Sequence, residues 1–494
     1  MGIIIKQSVK GTVFVYTGLI LGFVTTGILF PRIYSTEQIG LLKIIVAYSS
    51  LIAMFGTLGI NGATIRLFPF FRNEAMKHYG FLAMTLLVGL VGFVLTTGLL
   101  LIFKPLIIEM NSDKSALFIR YFNYLIVLVF FQIFFSILDT YYSALLNSVH
   151  GTFLREVFQR VLIILFIGLF FFDLITFHQF VLFYILSLSL PTVYIMATLI
   201  HERQFSLQTN FGFLDRQMLI SIISMSVFSI LNGFSMIIIQ NVDVIMVNSM
   251  VGLDAAGVYS ICFFFGVVVC LPARSIYKIA NIVSAGAWKK NDLKTIRDIY
   301  EKSCLTLFII GLLLFLGIWV NIENIFHILG SEYIPGRWVI FFIGLGSLVD
   351  MATGANSSVF GTSKYYKVQT ALLIMLVLLL VISNLILIPK LGVVGAAIGS
   401  AGSLILLNIL RYLFLYFKFK LQPYNIRFIY VILIGAAAYL AASQIPVFSN
   451  YIIDILIRST FVTLIFCLPI YVFKISEEIN TKSDEILRLL KLKK

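Results

Sequence analysis

Gly11–Phe30 reads GTVFVYTGLILGFVTTGILF, twenty residues without a charge. About 20 apolar residues carry a helix across the hydrocarbon core of a bilayer. The run is too long for the core of a signal peptide and has no small-residue cleavage site, so it is read as a first membrane span. The same pattern recurs outward from it. Hydrophobic residues make up 60% of the 494-residue chain and charged residues 12%, and the mean hydropathy is +1.03. A water-soluble fold needs a charged exterior, which this composition cannot supply. The solvent must be lipid, and the chain is read as an all-α polytopic membrane protein.

About fourteen spans are expected, near 11–31, 41–63, 79–103, 116–147, 154–172, 176–200, 217–249, 252–283, 303–325, 336–360, 366–388, 393–416, 427–446 and 451–474. In the fifth, the uninterrupted apolar stretch is only Val161–Phe172. The seventh and eighth are long enough to bend. With the N-terminus placed in the cytoplasm, cytoplasmic ends and loops hold 28 of the 36 Lys and Arg and outer ones hold 8. That asymmetry puts both termini in the cytoplasm. It also accounts for the +14 net charge without a nucleic-acid partner, and no loop is large enough for a nucleic-acid-binding domain. No G-x-x-x-x-G-K-[ST] occurs, so the chain carries no ATPase loop of this kind. Cys262, Cys270, Cys304 and Cys467 lie in apolar segments, and the five histidines are scattered. Neither pattern suits a metal centre or a disulfide framework, and no cofactor is expected. An amphipathic run, Ile486–Leu492, is expected to lie on the inner surface.

Function should then reside in the polar residues left inside the membrane, where a charge costs roughly 2.5–3.5 kcal/mol. Three acids qualify, Asp139, Asp243 and Asp350. Each could pair with a base or carry a coupling ion. Gln132, Ser136, Asp139, Ser143 and Asn147 form one stripe at helical spacing, and Ser50, Thr57, Asn61 and Thr64 form another. Gly346, Asp350, Thr353 and Ser357 share a third face. Arg274, Lys278 and Asn281 share a basic face at i, i+4, i+7, just after Pro272, which invites a kink. Arg66 closes the second span. Such stripes can line a water-filled cavity or glue helices together, and Gly59 and Gly62 permit close packing. Arg66 and Lys278 could also snorkel to the interface.

Several segments resemble the polysaccharide flippase branch of the multidrug/oligosaccharidyl-lipid/polysaccharide exporter superfamily. They are Phe30-Pro31-Arg32-Ile33-Tyr34-Ser35 followed by Gly40, Gly59-Ile60-Asn61-Gly62 running to Arg66, and Asp243-Val244-Ile245-Met246 followed by Gly257-Val258-Tyr259-Ser260. The most specific is Ile388-Pro389-Lys390-Leu391-Gly392-Val393-Val394-Gly395-Ala396-Ala397-Ile398-Gly399, where Leu391 and Gly399 replace the family's more usual Tyr and Ala. Gly40 and Gly257 each open a span after a short outer turn, a faint internal repeat. The resemblance implies two six-helix bundles in a V, at 1–210 and 211–420, with two accessory helices and a cytoplasmic tail at 421–494.

It further implies a flippase in a bacterial inner membrane, moving a polyprenyl-diphosphate-linked oligosaccharide for O-antigen, capsule or exopolysaccharide synthesis. Membrane lipids and polysaccharide polymerase machinery would be its other partners. Arg274, Lys278 and Arg66 could meet the diphosphate, and Asn281 and Asn61 the sugars. A cation-coupled multidrug exporter of the same superfamily is the alternative, with Asp139, Asp243 or Asp350 as ion carrier. An enzyme acting on lipid-linked sugars would need a sizeable outer loop with clustered acids or bases. The outer acids, Glu109, Asp113, Asp173, Asp254, Glu323, Glu332 and Asp454, are dispersed among short loops.

Overall fold

A computed structural model describes residues 2–74, 76–111, 114–208 and 215–489. Every regular element among them is helical. Packing divides the chain into two compact units, Met1–Ser260 and Ile261–Lys494.

The first unit begins with α1 (Gly2–Gly22), which runs through a π-helical turn, Phe23–Leu29, into Phe30–Ile33. Then come α2 (Thr36–Gly56), α3 (Ile60–Phe71), α4 (Phe81–Asn111) and α5 (Tyr124–Ala144). A short helix, Ser148–Phe153, and a second π turn, Leu154–Phe158, lead into α6 (Gln159–Phe171). Next are α7 (Phe177–His201) and α8 (Arg216–Met250), and α9 (Leu253–Val267) crosses the division between the units. The second unit holds α10 (Ala273–Lys289), α11 (Leu293–Val320), α12 (Arg337–Ala352), α13 (Tyr366–Leu391) and α14 (Val393–Phe419). It closes with α15 (Ile426–Ser443), α16 (Tyr451–Val472) and α17 (Glu477–Leu489).

Among the described residues, 13 helical stretches are long and apolar enough to cross a membrane. The span expected at 154–172 is not one of them. It is assembled from the π turn and α6, with the short helix Ser148–Phe153 leading in. Exposed apolar faces run along the long helices, as with Leu87, Val91, Val94 and Leu99 on α4. In water such faces would be a liability, whereas in lipid they are the expected exterior. The end of the chain beyond Leu489, with the last three residues of the amphipathic run, lies outside the described residues, as does Asp113.

Local chemistry explains the turns. At Ser35 the hydroxyl accepts from the Gln38 amide at 3.3 Å, and the Gln38 side chain accepts from the Ser35 amide at 3.1 Å. This capping box starts α2 directly after the proline–arginine corner. The expected second span breaks at Gly59, whose φ of +70° suits glycine, and α3 starts there. A Cβ on Gly59 or Gly62 would run into Ser226 or Ser229 of α8, so both glycines serve close helix packing. The Ile388–Gly399 motif builds a tight hairpin. Gly392, at φ +58° and ψ −136°, joins α13 to α14, and the Leu387 carbonyl sits where a Gly395 Cβ would go.

Gly40 and Gly257 meet each other. A Cβ on Gly40 would strike the Leu253 carbonyl, and one on Gly257 would strike the Thr36 carbonyl. The Thr36 hydroxyl donates to Asp254 at 2.7 Å beside this crossing. The contact is reciprocal: each glycine faces the residue four positions before the other.

Asp454 is not a loop acid. It lies in the first turn of α16, 1% exposed, 2.6 Å from the Arg458 guanidinium. The turn at Asn450 falls just before it, so the helix carries it inward. Asn324 donates to it at 2.5 Å, and Arg458 donates to the carbonyls of Ala442, Ile445 and Pro446. This pair ties α15 and α16 to the segment after α11. On the loop before α11, Asp292 caps the helix. Hydrogen bonds from the Thr295 hydroxyl (2.7 Å) and amide (3.0 Å) hold its carboxyl below the usual range.

Candidate functional site

Two polar regions stand out, one in each unit. In the first unit, α2, α5, the π turn, α6, α7 and α8 line a partly open cavity of about 300 Å³. Its polar wall is Ser50, Thr57, Gln132, Ser136, Arg155 and Gln159. Both predicted stripes of this unit contribute, so they line a cavity and also glue helices. Gln132 donates to the Ser49 hydroxyl at 3.1 Å, and Asn61 donates to the Ser136 hydroxyl at 2.8 Å. Thr64 instead bonds the Ile60 carbonyl at 2.9 Å and is buried in packing.

Arg155 and Gln159 were not foreseen as site residues. They stand i, i+4 apart at the polar start of the weakest span, Arg155 inside the π turn and Gln159 at the first residue of α6. π turns of this kind frequently sit at functional sites. The Arg155 guanidinium lies over the Phe135 ring, 4.5 Å from its centroid. Among the described residues it has no hydrogen-bond or ion-pair partner. Asp139 acts on it electrostatically but makes no direct ion pair with it, and the Asp139 carboxylate packs against the backbone at Gly151. Behind this wall Glu156 and Arg160 pair at 3.0 Å. A Cβ on Gly18 or Gly22 of α1 would collide with those two side chains, so the glycines open the slot they occupy.

The remaining sequence candidates of this unit are apart from the cavity. Asp243 is 4% exposed and accepts a hydrogen bond from the Tyr259 hydroxyl at 2.6 Å. Arg66 is exposed on α3 and has no partner among the described residues.

In the second unit, α10 keeps the predicted basic face. Arg274, Lys278 and Asn281 are all exposed, while Ala273, Ala280, Ser284 and Ala287 are buried on the other side. The expected kink is a break: α9 ends, a 3₁₀ turn spans Val268–Cys270, and Pro272 immediately precedes α10. Arg274, Lys278 and Asn281 have no side-chain partner among the described residues. Asp350 lies behind this helix. It accepts from the Tyr277 hydroxyl at 3.3 Å and from Asn408 at 3.0 Å, and Asn356 donates onward to Asn408 at 3.0 Å. Arg411 faces Asp350 electrostatically and donates to Gln369 at 3.1 Å. Of the rest of that predicted stripe, Gly346 packs against Ala401 and Thr353 bonds the Asp350 carbonyl. No group of three or more potential metal ligands occurs among the described residues.

The chain can therefore hold anions on unpaired cations and hydroxylated groups on amides and hydroxyls, with a buried acid network beside the basic helix. The family model described as "polysaccharide biosynthesis protein" matches residues 8–271. No curated protein sequence matches the chain. Among solved structures it is similar to the lipid II flippase MurJ in an inward closed conformation, at TM-score 0.75 and 15% identity, covering 94% of this chain and 98% of that one. An inward-facing multidrug resistance MATE family transporter of the MOP superfamily aligns at TM-score 0.62 and 17% identity, covering 80% and 93%. A MOP superfamily transporter from Pyrococcus furiosus, described by a binding pocket of reversed polarity, aligns at TM-score 0.55 and 16% identity, covering 83% and 94%. At these identities the likeness is one of fold.

Proposed function

The chain belongs to the polysaccharide biosynthesis protein family, and from that premise we propose that it is a flippase. Its substrate is a polyprenyl-diphosphate-linked oligosaccharide, carried from the cytoplasmic to the outer leaflet of a bacterial inner membrane for surface polysaccharide assembly. The observation that carries this reading is the exposed, unpartnered face of Arg274, Lys278 and Asn281 on α10. Cations left without partners in so apolar a chain are costly unless water or an anion meets them. A diphosphate is a compact anion, and the arginine fork matches two of its oxygens. Arg66 supplies a further cation, Asn281 and Asn61 hydrogen-bond the sugars, and the polyprenyl tail stays in lipid.

Transport proceeds by alternating access. The Gly40–Gly257 crossing, with its Thr36–Asp254 hydrogen bond, closes the outer end. Both termini lie in the cytoplasm, as the Lys/Arg distribution favours.

Sidedness of a labelled lipid-diphosphate-linked oligosaccharide in proteoliposomes tests the reading. Translocation without covalent change, lost in Arg274→Ala, supports it; no translocation by the wild type ends it. The buried acid Asp350, hydrogen-bonded behind the basic helix, favours a second reading, a cation-coupled exporter of small molecules. Export of a cationic drug in place of the lipid-linked sugar in the same vesicles would select it.

A further inference from the structure

The cavity of the first unit presents polar side chains of its own. Four of its polar side chains keep bonding capacity open. Ser50, Arg155 and Gln159 have no hydrogen-bond partner among the described residues, and Gln132 spends one amide hydrogen on Ser49. A hydroxyl, two amides and a guanidinium thus line one partly open cavity, with Arg155 exposed and Ser50, Gln132 and Gln159 half-buried.

Their chemistry narrows the ligand. Amides and hydroxyls both donate and accept, which suits the hydroxyls of a sugar ring. Arg155 adds a cation whose face is taken by Phe135. A guanidinium stacked on a ring keeps its in-plane donors free for an anion. Size narrows it further. Ligand pockets run from about 300 to 1,000 Å³, so a cavity of about 300 Å³ holds one small group.

We propose that this cavity binds a single sugar ring bearing an anionic substituent, with Arg155 on the anion and Gln132, Ser50 and Gln159 on the ring hydroxyls. The site gives the proposed flippase a means of checking one sugar of its cargo, and in that sense the inference rests on the transport reading. The anion has two sources of shared chemistry: the phosphate on the lipid-proximal sugar, or a carboxylate on an acidic sugar within the glycan.

The test is calorimetric titration of the full chain in lipid nanodiscs. The probes are N-acetylglucosamine 1-phosphate, glucuronic acid, glucose and inorganic pyrophosphate. Hydrogen bonds to a charged partner predict that glucose binds about tenfold to a hundredfold more weakly than at least one of the acidic sugars. Arg155→Ala should erase that preference, and Arg155→Lys should keep part of it. Unchanged melting profiles without ligand show that both variants fold. Stronger binding of the sugar phosphate assigns the site to the proximal sugar; stronger binding of glucuronate assigns it to an acidic sugar in the chain.

Equal affinity for glucose, equal affinity for bare pyrophosphate, or an intact preference in Arg155→Ala each overturns the proposal. Flipping of a lipid-diphosphate-linked oligosaccharide is measured in parallel. Transport without the binding preference removes the cavity site alone. The preference without any transport removes the flippase reading and leaves a sugar site.

Discussion

Arg274 and Arg458 are both arginines in the apolar second unit, and their surroundings are opposite. Arg458 is 8% exposed, paired with Asp454 at 2.6 Å, and donates to three backbone carbonyls. Arg274 is exposed and has no side-chain partner among the described residues. The first arrangement consumes the donors that a guanidinium offers, and the second leaves them open. An intramembrane arginine is therefore no site in itself; what marks one is unspent bonding capacity.

The largest expected effect breaks that comparison from the structural side. Arg458→Ala leaves the Asp454 carboxylate buried without its cation, which typically costs about 3–5 kcal/mol. Unfolding in detergent should show that loss, with lower protein yield. Arg274→Ala should leave stability within about 0.5 kcal/mol, as for surface substitutions. Equal destabilisation by the two would make Arg274 a packing residue.

Transport gives the next effect. Losing a charge-assisted contact to phosphate should slow flipping by Arg274→Ala about tenfold to a hundredfold. Arg274→Lys should slow it less, because the charge stays and the fork is lost. Arg458→Ala protein that survives purification should flip at a rate set by its folded fraction. A specific transport defect in Arg458→Ala, at full folding, would erase the distinction.

The contrast also shows what could be read from sequence. The face of Arg274, Lys278 and Asn281 was legible because one regular helix carries it, and i, i+4, i+7 spacing survives in any straight helix. The Ile388–Gly399 hairpin was legible for a similar reason, since its glycines do local backbone work. Arg155 and Gln159 were not legible. They lie where an apolar run fades, and a π turn changes which side the residues face, so a 3.6-residue count misplaces them. Asp454 was counted among the outer acids because it opens the span expected at 451–474, and position alone does not show that this first turn is buried. Its partner stands only four residues on, and an i, i+4 acid–base pair at the edge of a span is the signal that could have found it.

Asp350 tests the acid half of the site. Asp350→Asn keeps an acceptor for one of its two donors and removes the charge facing Arg411. Stability should fall by about 0.5–1.5 kcal/mol, the worth of one hydrogen bond. If Asp350 carries the coupling ion, the variant also loses the dependence of transport on pH or sodium. Asp139→Asn and Asp243→Asn extend the test to the other two acids. Wild-type rates and unchanged ion dependence in all three would leave these acids with a structural role only.

The smallest effect concerns the Gly40–Gly257 seam. Thr36→Val removes the hydrogen bond to Asp254 while keeping the side chain's shape, and the Gly40–Gly257 crossing stays intact. One such bond is worth about 0.5–1.5 kcal/mol, so the closed population should fall about two- to tenfold relative to the open one. Leu253 is 1% exposed beside the seam. A single cysteine there, in a background without the four native cysteines, should react with a membrane-impermeant maleimide faster by that factor in Thr36→Val. Cysteines at Thr36 and Asp254 should do the reverse: their disulfide holds the seam shut, stops transport, and releases it on reduction. Full transport through the crosslinked protein would show that the seam never opens. A groove along the helices, without alternating access, would then be the better description of the path. Labelling of the Leu253 cysteine only in inverted vesicles would place the seam on the cytoplasmic side and reverse the orientation drawn from the Lys/Arg distribution.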